Sequence, residues 1–111
     1  MPRKAQLGEF EQLVLLAILR CKEEAFSLGV RREIEQKAKR SVSRGAFYAT
    51  LERLEAKGFV EWESVPPSES RGGIPQRRFR VTREGLNALR ASRNTLLELW
   101  QGLEATLEGP R

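Results

Sequence analysis

Apolar positions first recur at helical spacing between Gly8 and Lys22. Phe10, Leu13, Val14, Ala17, Ile18 and Cys21 form one stripe, and Leu15, Leu16 and Leu19 widen it. So broad a stripe suggests a helix covered on two sides, by its own domain and by a partner chain. A second helix is predicted over roughly residues 28–39, with Val30, Ile34 and Ala38 at i, i+4, i+8 and Ser27 placed to cap it. Arg31, Arg32, Lys37 and Lys39 lie off that edge, where a solvated face accounts for them equally well. A third helix opens at Ser43, a good N-cap that puts Val42 and Phe47 at the two positions of a hydrophobic staple. Phe47, Leu51 and Leu54 then share a face, and Gly58 supplies the stop.

Beyond Gly58 the period changes from helical to alternating. Residues 59–64, FVEWES, and residues 77–82, RRFRVT, flank VPPSESRGGIPQ, a Pro-, Gly- and Ser-rich loop. This predicts a β-hairpin whose loop is long enough to protrude. The last helix should start after Thr82, carry Glu84 in its first turn and end before Gly109-Pro110. Leu86, Leu89, Arg93, Leu96, Trp100, Leu103 and Leu107 alternate in steps of three and four, a heptad seam with one polar interruption. Little of so small a domain is left to cover a helix of about 25 residues. Dimerisation is the natural cover, the alternative being a helix folded back on its own domain.

The predicted order is helix, helix, helix, strand, basic loop, strand, helix. The fold class is therefore mostly α, an α+β winged helix. It combines a three-helix helix-turn-helix core, a two-stranded wing and a long C-terminal dimerisation helix. Residues 1–82 form the DNA-binding part and residues 83–111 the dimerisation helix, together one compact unit.

Charge sharpens that picture. An excess of 20 Lys and Arg over 15 Asp and Glu favours a polyanionic partner. Residues 71–83 hold Arg71, Arg77, Arg78, Arg80 and Arg83 with no acid, whereas residues 95–108 hold Glu98, Glu104 and Glu108 with no base. On the third helix, with Phe47 inward, Gly45, Ala49 and Ala56 lie within about 20° of the outward pole. A face so bare admits another surface closely, and the DNA major groove is about 12 Å wide, barely more than a helix. Ser43 and Arg44 at the helix start offer hydrogen bonds, and Arg53 flanks the bare face. Tyr48, on the other flank, is placed either for a phosphate and a sugar or as a half-buried core aromatic. Arg71, Gln76, Arg77 and Arg78 are the wing candidates. Alternation sends Arg78 and Arg80 away from Phe79, so some of these arginines are plain surface residues.

Other chemistries are poorly served. There is no histidine, the single cysteine reads as a small buried hydrophobe, and no paired nucleophile and base, phosphate loop or metal-ligand cluster appears. No catalytic residue, metal site or cofactor is predicted. The N-terminus lacks a signal peptide's apolar region and LVLLAIL is too short for a bilayer, so a cytoplasmic protein without membrane contact is expected.

The run SRGAFYATLERLEAKGFV, residues 43–60, closely resembles the recognition-helix signature of the PadR family of bacterial transcriptional regulators. GGIPQRRFRVTREGLNAL, residues 72–89, resembles that family's wing strand leading into its last helix. The likeness spans roughly residues 8–90, with two motifs in the right order. The short C-terminal part is similar to the subgroup with a single C-terminal helix. Val30, Ala49 and Ile74 depart from the usual aromatic, proline and basic residues, so the reading surface differs from that of relatives. The resemblance implies a winged-helix homodimer on double-stranded DNA that usually represses transcription and is often released by small phenolic or drug-like ligands. It favours DNA contact for Tyr48. Trp100 on the seam would face its symmetry mate, as a wall for an aromatic effector or as ordinary interface packing. The rival reading is a winged-helix protein-interaction module that does not bind DNA.

Overall fold

The computed structural model describes residues 6–66 and 74–109. Helix α1 spans Glu9–Cys21, α2 Ser27–Ala38 and α3 Arg44–Ala56. Strands β1 (Val60–Val65) and β2 (Gln76–Val81) follow, then α4 (Arg83–Trp100) and a short α5 (Glu104–Glu108). The first three helices and the hairpin enclose one core, in which Val14, Leu15, Val30, Phe47, Leu51, Leu54 and Phe79 are buried. The apolar repeats of α2 and α3 thus point inward as their period places them, and the fold is a winged helix.

The helix-turn-helix is held at its turn as well as by its core. The Glu35 carboxylate accepts the Val42 N–H at 2.9 Å, tying α2 to the residue before the α3 cap. Ser43 Oγ then accepts the Ala46 N–H at 3.1 Å, satisfying a donor the helix itself leaves open. At the other end Gly58 takes φ +80°, a left-handed turn that ends α3.

Glu11, in the first turn of α1, is a buried carboxylate that sequence reasoning passed over. It accepts the Gly8 N–H at 2.8 Å and Lys57 Nζ at 2.8 Å on both oxygens, and Arg53 Nε lies 3.6 Å away. Burial works to raise its pKa, but the Lys57 and Gly8 hydrogen bonds, with the charges of Lys57 and Arg53, outweigh it. The carboxyl titrates below its ordinary 4.5.

Two expectations are corrected here. Ser27 does not cap α2: the cap position is Phe26, and Ser27 is the first helical residue. The reason lies across the chain. Ala25 accepts the Phe79 N–H at 2.9 Å and Phe26 bridges Arg78, so the segment before α2 pairs with β2 and starts the helix early. The last helix is also not continuous. It stops at Trp100, and Gly102 turns the chain at φ +87° before α5, so Leu103 and Leu107 leave the seam that carries Leu86, Leu89, Leu96 and Trp100.

The joint between α3 and α4 is compact. Thr82 donates its N–H to the Phe59 carbonyl at 3.0 Å and its hydroxyl to the Gly58 carbonyl at 2.6 Å. The same hydroxyl oxygen accepts the Gly85 N–H at 3.0 Å, capping α4. Gly85 is buried, and a Cβ there would lie 2.5 Å from the Phe59 carbonyl oxygen. The glycine lets α4 start against the end of α3.

Candidate nucleic-acid interface

The outward face of α3 is as bare in three dimensions as its sequence implies. Gly45, Ala46, Ala49, Glu52 and Ala56 are all exposed. A Cβ added at Gly45 would meet nothing within 4 Å, so the chain's own packing does not require a glycine there. Ser43 and Arg44 are exposed at the helix start, where free amide dipoles favour phosphate. Tyr48 is half-buried: its ring meets Phe47 edge-on at 5.5 Å, and the rest reaches the surface. It therefore combines a packed body with an accessible edge.

Arg53 turns away from the bare face. Its Nη2 donates to Thr50 Oγ1 at 3.1 Å and its Nε approaches Glu11, so part of its charge is directed at α1. More than half of its side chain is still exposed.

The hairpin corrects the picture of an acid-free wing. In the antiparallel register Glu63 faces Arg78 and Glu61 faces Arg80. Arg78 donates to Glu63 at 2.8 and 3.0 Å, and Arg80 to Glu61 at 2.8 Å. Counting charge along residues 71–83 missed these partners because they lie on the other strand. The signal was present as two alternating series, Glu61 and Glu63 against Arg78 and Arg80. Gln76 is half-buried at the start of β2, and Arg71 lies outside the described residues. Arg77 differs from the other two arginines of β2: its guanidinium lies over the Trp62 indole, 4.3 Å from the ring centroid. The indole N–H in turn donates to Glu55 of α3 at 3.3 Å. The hairpin and α3 are thereby connected.

A second surface stands apart from this one. From Arg93 to Trp100 every residue of α4 is exposed, including Leu96, Leu97, Leu99 and Trp100. On α1, Leu16 and Leu19 are 45% and 39% exposed, the uncovered side of the broad stripe. Leu86 is exposed, while Leu89 packs partly against the core. Exposed apolar patches of this kind mark interaction surfaces. Cys21 is half-buried beside this helix's core face, and burial with the nearby Glu33 charge pushes its pKa up, keeping the thiol protonated.

Residues 15–91 match the family described as Transcriptional regulator PadR-like family. The chain belongs to that family. Its members are transcription regulators and not enzymes, which supports a DNA-binding regulator for this chain. Among solved structures, a PadR-like transcription factor from Bacteroides fragilis is 25% identical, with a TM-score of 0.68 over 87% of this chain and 88% of that one. A PadR family regulator from Clostridium difficile R20291 superposes with a TM-score of 0.71 at 16% identity, covering 88% and 98% of the two chains. One from Eggerthella lenta DSM 2243 gives 0.64 at 24% identity, over 92% and 88%. No curated protein matches the sequence. Among the described residues, no group of His, Cys, Asp and Glu could hold a metal ion, and no helix is long and apolar enough to cross a membrane.

Proposed function

We propose that this PadR-like chain is a sequence-specific transcriptional repressor that acts as a homodimer on a roughly palindromic operator. The observation that carries the proposal is the bare, exposed face of α3, unconstrained by internal packing at Gly45. Ser43, Arg44, Gly45, Tyr48 and Ala49 enter the major groove, and Arg77, with Arg71 and Gln76, serves the wing. Arg53 and Arg78 hold secondary places, since each is engaged by a carboxylate of its own chain. Dimerisation runs through α4, where Leu86, Leu96 and Trp100 are exposed. A groove of about 590 Å³ between Leu7 and Gln12 of the α1 end and Ala88, Ala91 and Thr95 of α4 gives a second helix room to lie. Leu103 and Leu107, beyond the break, would extend the contact on α5. Paired Trp100 indoles would offer flat walls to a small aromatic effector that relieves repression. Titration of the protein on its own upstream DNA, followed by fluorescence anisotropy across a salt series, tests the reading. Two recognition helices with about two to three phosphate contacts each give a log–log salt slope near −4 to −5, and a slope near zero would sink the phosphate assignment. Quenching of Trp100 emission by phenolic compounds tests the effector.

The rival is a winged-helix protein-interaction module. What favours it is the cross-strand pairing of Arg78 and Arg80, which ties two of the three arginines of β2 to carboxylates of β1. The same titration separates the two, because an interaction module binds no upstream DNA.

A further inference from the structure

We propose that Trp62 is a positioning residue for DNA binding, holding Arg77 so that its guanidinium meets a backbone phosphate in fixed relation to α3. This rests on the DNA-binding reading above and deepens it. In the hairpin register Trp62 faces Phe79, which puts Arg77 at the diagonal position on the same face, within reach of a long side chain. The guanidinium lies over the indole at 4.3 Å, within the range of a cation–π contact. Trp62 is 40% exposed, unlike its buried partner Phe79, so its ring is presented at the surface of the wing rather than spent in the core.

The chemistry of an arginine decides what the stack is for. Stacking engages the flat face of the guanidinium, whereas phosphate is bound through its N–H edge. Both contacts coexist on one side chain. Arg78 and Arg80 commit N–H groups of that edge to Glu63 and Glu61, so the three arginines of β2 divide into two that brace the hairpin and one stacked by its face. The far side of the indole's role is its N–H bond to Glu55, in the last turn of α3. Glu55, Trp62 and Arg77 therefore form a chain from recognition helix to wing, and the arginine is placed by the helix that reads the groove.

The experiment is the salt dependence of DNA affinity. Trp62→Leu should weaken the slope by about two for a dimer, one phosphate per subunit. Arg77→Ala should do the same, and the double variant should lose no more than either single one. Trp62→Phe keeps a stacking face but loses the N–H bond to Glu55, so its slope should fall between those of the wild type and Trp62→Leu; a full wild-type slope would show that the link to α3 places nothing. A Trp62→Leu protein with the wild-type slope, or additive losses in the double variant, would overturn the inference while leaving DNA binding intact. No DNA binding by the wild type would overturn the reading of the site itself, and this inference with it. A readout in the free protein covers the case where Trp62→Leu does not fold. In a Trp100→Phe background Trp62 is the remaining tryptophan, and Arg77→Ala should shift its emission; unchanged emission would show that no stack forms.

Discussion

Lys57 Nζ lies 2.8 Å from each carboxylate oxygen of Glu11, fastening the end of α3 to the first turn of α1. A carboxyl whose pKa is lowered by folding stabilises the folded state fully above its ordinary value, 4.5. That contribution is lost as pH falls through the lower, folded value. Glu11→Gln should cost about 1–3 kcal/mol near neutral pH, since it weakens a charge-assisted contact and leaves Lys57 poorly paired. The gap between variant and wild type should narrow as the pH drops below the ordinary carboxyl range. Urea denaturation at several pH values measures it, and a pH-independent gap would contradict the assignment.

Gly85→Ala should destabilise the fold although it places a better helix former in α4. The added methyl would lie 2.5 Å from the Phe59 carbonyl oxygen and 2.8 Å from Val81 Cγ1. Overpacking of this sort costs about 1–3 kcal/mol, against a helical gain of at most about 1 kcal/mol. Thermal melting decides the sign.

Gly45→Ala makes the opposite case. With nothing near the new methyl, stability should rise by up to about 1 kcal/mol. Gly45→Leu should fold equally well yet weaken operator binding by about tenfold or more, equivalent to roughly 1.4 kcal/mol. Undiminished affinity for the leucine variant would mean that this face does not approach DNA.

Leu96→Glu places a charge on the exposed part of α4 without touching the core. Sedimentation should show a shift from dimer to monomer, with the melting of the winged-helix body little changed. Operator affinity should fall with it. A variant that stays dimeric would move the interface elsewhere.

The parts of the fold that local chemistry specifies were legible in the sequence. Ser43 as a cap, Phe47, Leu51 and Leu54 as a buried face, Gly58 as a stop and the bare face through Gly45 and Ala49 all follow from spacing along one helix. Most of what escaped depended on residues far apart in the chain. Glu61 and Glu63 neutralise arginines some 15 or more positions away, and only strand register brings them together. Lys57 reaches Glu11 across 46 positions. The cap of α2 was misread because Ala25 pairs with β2, which no local propensity reports. The break after Trp100 was readable at Gly102, but the leucine repeat on either side concealed it.

The Thr82 joint reaches further than its few hydrogen bonds. Its hydroxyl bonds both the turn that ends α3 and the turn that begins α4. In a dimer paired along α4, the angle set there would govern how far apart two reading heads stand, as the pivot of a pair of calipers governs its tips. Recognition helices must stand about 34 Å apart, or a multiple, to meet successive turns of one DNA face. The length of DNA between half-sites would then be set by a threonine and a glycine at this joint, away from the exposed face of α3.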